Sequence, residues 1–212
     1  GRPLVAARDL ATNLDVPLTW SDATRTVTLG SSGGTTCVPD VAASAFILMD
    51  VATGAVLSEH NARTPRAIAS TTKVMTALLA VEQGNPDDVV TVSWNAASQP
   101  GTSVYLSSGE QRTLRELLYG LMLVSGNDAA VAIAEHLAGS EEAFAQLMNR
   151  RAAELGARNT HFVTASGLDD YVDPYSTAED LALIAWTALH NPLFRAYMYP
   201  QQWTIPGPWG NR

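Results

Sequence analysis

Lysine is almost absent from this chain: of 13 basic residues, every one except Lys73 is arginine. Cysteine is as scarce, with Cys37 alone, which excludes a disulfide framework and a cysteine-built zinc site. An idle exposed thiol is the expectation for Cys37. Positive charge is lacking overall. The 21 acidic residues leave a formal net charge of −8, which argues against a surface for nucleic-acid phosphates. No run of eighteen apolar residues occurs, so no transmembrane helix is expected. Gly1-Arg2-Pro3 does not open a signal peptide. His60, His136, His161 and His190 are scattered without metal spacing, and neither a metal nor a cofactor is expected. There is no internal repeat. Apolar residues are plentiful, at 46% of 212 residues against 16% charged. That composition buries a sizeable core and excludes a disordered chain.

Three stretches differ in character. Residues 1–30 read as a partial small α+β unit: a helical pattern over Pro3–Leu14, then alternation at Val16, Leu18 and Trp20 and again at Val27 and Leu29, separated by turn residues. Leu18 to Thr28 resembles the small amine-oxidase N-terminal-like repeat found on secreted bacterial wall proteins. Residues 31–40 form a linker, opened by the Gly- and Ser-rich run from Gly30 to Gly34. Residues 41–212 form the main domain. It starts with a hairpin, Ala45–Asp50 and Ala55–Glu59 around Ala52-Thr53-Gly54. Helices are predicted over Ser70–Glu82, from a Thr113–Glu116 capping box to about Val124, over Asp128–Ala138, from a Ser140 cap to Leu155, and from Thr177 to before Pro192. Strand character returns at Gln202–Ile205.

The single lysine bears on chemistry. Arginine cannot be deprotonated in a protein, whereas a lysine of depressed pKa can act as a base. Lys73 therefore marks either a task arginine cannot perform or a chance survivor. Ser70-Thr71-Thr72-Lys73 opens a predicted helix, and spacing of i and i+3 puts hydroxyl and amine on one face. A neutral lysine can activate the serine, while the helix start favours negative charge on a substrate oxygen. Ser125-Gly126-Asn127 lies between two helices. As cap chemistry it needs no function. As functional groups, Ser125 passes a proton to a leaving group and Asn127 binds a substrate amide.

Together, S-x-x-K and S-x-N about fifty residues later resemble the penicillin-binding serine hydrolases. The flanking text narrows this. Ile68 to Leu79, Gly101 to Leu106 with Gly109-Glu110, Leu123 to Ala132, and Asn159 to Phe162 with Ser166-Gly167-Leu168 are similar to the low-molecular-mass D-alanyl-D-alanine carboxypeptidases. The resemblance implies an α/β fold of the penicillin-binding/β-lactamase-like transpeptidase type, a helical cluster packed on an antiparallel sheet. It implies Ser70 as acyl-enzyme nucleophile, Lys73 as base, Ser125 as proton relay and Asn127 as substrate ligand. The implied partners are peptidoglycan pentapeptides ending in D-Ala-D-Ala, with β-lactams as covalent inhibitors. The implied location is extracytoplasmic, secreted or on the cell envelope. Class A β-lactamases fit less well. Asp usually stands where this chain has Gly126, and no E-x-x-L-N stretch is present, so a penicillin adduct should deacylate slowly.

One departure from the family pattern is large. The third motif, K-T-G, is absent, since no second lysine exists and no Arg or His precedes a T-G or S-G pair. The expectation is a chain incomplete at its C-terminus, with a missing fragment that carries the remaining strands. The alternatives are a non-catalytic cell-wall peptide-binding module of the same fold and a β-lactamase-like serine hydrolase. Trp186, Trp203 and Trp209 read as packing groups, and Asp169-Asp170 with Asp173 as a solvated loop.

Overall fold

The computed structural model of the chain describes residues 18–21, 26–29, 41–168, 174–200 and 202–204. The Pro3–Leu14 helix, the 31–40 linker with Cys37, the aspartates at 169, 170 and 173, Ile205 and Trp209 lie outside the described residues. Strands β1 (Leu18–Ser21) and β2 (Thr26–Leu29) pair antiparallel, Leu18 opposite Leu29, as the alternation predicts.

The second hairpin joins β3 (Phe46–Met49) to β4 (Val56–His60), with a register shift between Leu48 and Met49. Its turn contains Gly54 at φ +72, where a Cβ would lie 3.4 Å from the Trp186 ring. The left-handed backbone, rather than the contact, favours glycine there. Two more antiparallel ladders are short. They pair β5 (Arg66–Ala67) with β8 (Tyr175–Ser176), and β6 (Val89–Thr91) with β7 (Gln111–Thr113). Strands of two or three residues leave too few positions for alternation to show, so these lay below the resolution of the sequence pattern.

The rest is helical: α1 (Lys73–Gln83), α2 (Trp94–Ala97), α3 (Leu114–Val124), α4 (Asn127–Ala138), α5 (Glu141–Leu155), α6 (Ala178–His190) and α7 (Pro192–Met198). Thr113 and Glu116 form the reciprocal capping box of α3. Ser140 and Thr177 cap α5 and α6, and Gly156 ends α5 in the left-handed conformation. Helix α4 is the centre. It packs against α1, α2, α3 and α5, and Ala129, Ala130, Val131, Ala132, Ile133 and Ala134 are each at most 1% exposed. Its small side chains let four neighbours approach closely, which explains why its pattern is apolar on most sides.

Two expectations change. The helix foreseen over Ser70–Glu82 begins as a 3₁₀ turn, Ala69–Thr72, and becomes α-helical only at Lys73. The Ile68 carbonyl accepts both the backbone N–H and the hydroxyl of Thr71, an i to i+3 pattern that tightens the turn. Residues 202–204 carry no strand. No described strand pairs with them, and Trp203 instead stacks on Tyr119 at 4.0 Å. Helix α7, unforeseen, starts at Pro192, where the lost N–H costs nothing, and is capped by Asn191.

Candidate active site

The turn bearing Ser70 is held from three sides. The β5–β8 ladder fixes the chain just before it. The Thr76 hydroxyl donates to the Ala165 carbonyl at 2.6 Å, docking α1 against the segment that contains Ser166 and Gly167. Gly167, at φ +79, presses on the turn itself: a Cβ there would lie 1.9 Å from the Ala69 carbonyl oxygen. Any side chain at 167 would displace the residue preceding Ser70. Ala69 answers with φ +43, an uncommon conformation for alanine that this packing enforces. Ser70 is exposed, so its hydroxyl is open to a reactant.

Lys73 lies one 3₁₀ turn on and is only 4% exposed. Its Nζ is 3.0 Å from Ser70 Oγ, 2.7 Å from Asn127 Oδ1 and 2.9 Å from the Ser166 carbonyl oxygen. Two of these partners can only accept. A neutral amine has two N–H donors and one lone pair, so donation to Asn127 and Ser166 turns the lone pair towards the Ser70 O–H. An ammonium would instead donate its third N–H to Ser70. Burial lowers the Lys73 pKa from 10.5 to about 8, because desolvation penalises the charged form. Among the described residues, no carboxylate accepts from Nζ. The arrangement can therefore take a proton from Ser70 near neutral pH.

Asn127 is the first residue of α4 and is buried, with both ends of its amide engaged. Nδ2 donates to the Pro100 carbonyl at 2.7 Å. A carbonyl can only accept, which fixes the amide orientation and directs Oδ1 at Lys73. One N–H of Nδ2 remains beyond the bond to Pro100. Ser125 ends α3 in the left-handed conformation, φ 60 and ψ 37. Its side chain makes no hydrogen bond to any described residue, and the cap position of α4 is Gly126, without a side-chain cap bond. The structure thus joins Ser70, Lys73 and Asn127 directly, and the Ser125 hydroxyl makes no hydrogen bond to any of the three. The reading of S-G-N-D as cap chemistry finds no cap bond here.

Sequence reasoning missed two contributors. The Ser166 carbonyl is a main-chain atom that no side-chain pattern reveals, although the adjacent Gly167 signalled a close approach. Asp128, fully buried, organises the neighbouring loop. Tyr105, Tyr119, Leu123, Val124 and Trp203 line an apolar cavity of about 350 Å³, which contains none of Ser70, Lys73 or Asn127. Trp186 donates its indole N–H to the Val51 carbonyl at 3.0 Å, a packing role.

Residues 33–204 match the sequence family of D-alanyl-D-alanine carboxypeptidases. The carboxypeptidase DacF of Bacillus subtilis is 43% identical over 148 residues, 68% of this chain and 38% of that protein. DacC of Escherichia coli is 40% identical over 72% of this chain and 41% of its own length. The chain thus spans about two fifths of the curated relatives it matches. A D-alanyl-D-alanine carboxypeptidase structure from Mycobacterium tuberculosis superimposes with a TM-score of 0.80 at 34% identity, covering 85% of this chain and 68% of that one. Penicillin binding protein 6B of Escherichia coli gives 0.74 at 33% identity, over 82% and 58%. The fold is therefore the penicillin-binding α/β fold, and the chain belongs to the D-alanyl-D-alanine carboxypeptidase family.

Proposed function

We propose that the protein carrying this chain is a serine DD-carboxypeptidase, which removes the terminal D-Ala from peptidoglycan stem peptides outside the cytoplasm and is acylated by β-lactams. The observation that carries this reading is the Lys73 amine, buried and shared among Ser70 Oγ, Asn127 Oδ1 and the Ser166 carbonyl. Ser70 attacks the carbonyl of the penultimate D-Ala while Lys73 takes its proton. The tetrahedral oxyanion then collapses, and the terminal D-Ala leaves with a proton delivered through Ser125. Water hydrolyses the acyl-serine in the second half of the cycle. The remaining N–H of Asn127 is available to a substrate carbonyl. Residues 41–212 are assigned to the penicillin-binding-type domain, apart from the stretch 1–30.

The direct test is incubation of the protein with a peptide ending in D-Ala-D-Ala. Release of one D-Ala, abolished by Ser70→Ala, is the expected outcome. Tight binding of the peptide without release would favour a peptide-binding module of the same fold.

Acylation should also follow the protonation of Lys73. The base is the neutral amine, and the folded pKa of about 8 lies below the ordinary value. The active fraction therefore grows as pH rises: about a tenth at pH 7 and about nine tenths at pH 9. The second-order rate of penicillin acylation should climb about tenfold per pH unit below 7 and level off above 9. A flat profile between pH 6 and 9 would assign the base elsewhere.

A further inference from the structure

A fully buried carboxylate lies outside the proposed chemistry. Asp128, on the first turn of α4, is fully buried, and no described lysine, arginine or histidine pairs with it. Hydrogen-bond donors hold it instead. Its Oδ1 accepts from the backbone N–H groups of Val104 at 3.1 Å and Ala129 at 2.9 Å. Its Oδ2 accepts from the Ser103 hydroxyl at 2.6 Å and the Leu106 N–H at 3.0 Å. Three of the four donors thus come from one short loop.

The neighbouring residue grips the same loop further upstream. The Asn127 backbone N–H donates to the Thr102 carbonyl at 2.7 Å, and its side chain donates to the Pro100 carbonyl at 2.7 Å. The contact is close: a Cβ on Gly101, whose φ is +83, would lie 3.0 Å from Asn127 Nδ2. Between the two clamped amides, Tyr105 is held at φ 60. A bulky residue adopts that conformation only where its surroundings impose it. Its N–H donates to Ser103 Oγ at 2.8 Å, and Ser103 in turn donates to Asp128. Three residues near the reactive groups share this left-handed backbone: Ala69 before the nucleophile, Ser125, and Tyr105.

We infer that Asp128 is a positioning residue for acylation of Ser70. It fixes the loop 100–106 and, through the Pro100 and Thr102 carbonyls, the Asn127 amide against which the Lys73 amine rests. This inference depends on the acyl-serine function proposed above. Asp128→Asn replaces one acceptor oxygen with an NH2 group, which cannot accept from a backbone N–H. One edge of the clamp is then lost, the Pro100 carbonyl drifts, and the Asn127 amide is free to rotate away from Lys73.

The test compares the parent, Asp128→Asn and the milder Ser103→Ala with two readouts. The first is amide hydrogen exchange at Val104 and Leu106, referenced to Leu78 and Leu79 in α1. The second is the rate of Ser70 acylation by benzylpenicillin per folded molecule. In Asp128→Asn the Leu106 amide should exchange about tenfold faster or more, with the reference amides unchanged, and acylation should fall about 30-fold or more. Ser103→Ala should show the same pattern at about three- to tenfold. A folded Asp128→Asn protein that acylates within about twofold of the parent would overturn the inference, whatever its melting temperature. If Asp128→Asn does not fold, Ser103→Ala decides: faster loop exchange with parental acylation would overturn it. A parent whose Leu106 amide is protected but which benzylpenicillin never acylates would overturn the acyl-serine function itself, and the positioning role with it.

Discussion

Lys73→Arg should abolish acylation, with a loss of about 10³-fold or more in the second-order rate of penicillin reaction. Arginine keeps the positive charge but cannot release a proton at any usable pH, so the lone pair that faces Ser70 in the neutral amine has no counterpart. The surroundings add a geometric argument. Nζ sits within 3.0 Å of three partners in a site only 4% exposed, a cradle sized for a compact amine. A guanidinium there is overpacked, at a cost of about 1–3 kcal/mol. The measurement is the acylation rate of the variant against the parent, with circular dichroism and melting on the same sample. A folded variant that acylates within tenfold of the parent would reduce Lys73 to an electrostatic role.

Ser125→Ala should lower turnover by about 10²–10⁴-fold with little change in stability. The side chain of Ser125 makes no hydrogen bond to a described residue, and α4 is not capped by it. Loss of the hydroxyl therefore removes no structural bond. A cap role would instead cost about 0.5–2 kcal/mol and spare the turnover of the folded fraction. Melting temperature and D-Ala release, measured on one preparation, separate the two. Large destabilisation with parental turnover would remove Ser125 from the proton path.

What was legible in the sequence follows from how each feature is encoded. Helices α3, α5 and α6 announced themselves because Thr113, Ser140 and Thr177 carry local cap chemistry. The Ser70–Lys73 pairing was readable because i and i+3 meet in an α-helix and in a 3₁₀ turn alike, so the change from one to the other left the contact intact at 3.0 Å. The Asn127–Lys73 contact spans 54 positions, and only the family resemblance pointed towards it. The Ser166 carbonyl was beyond reach, since every residue has one and only the fold selects which carbonyl meets the amine. Asp128 stands at a helix start, where local pattern suggests no more than a cap. Its four donors, three of them from the loop 103–106, are long-range and invisible to local pattern. The short ladders β5–β8 and β6–β7 have two or three residues per strand, too few to register as periodicity.

The account turns on one claim, that Ser70 is the nucleophile and Lys73 its base. The most direct test treats the protein with benzylpenicillin, weighs it intact, and maps the modified peptide. The account expects one penicilloyl group per folded molecule, carried on Ser70, forming faster as pH rises through about 8 and absent from Ser70→Ala. An adduct on another serine, or no adduct from a protein that still releases D-Ala from a D-Ala-D-Ala peptide, would contradict it.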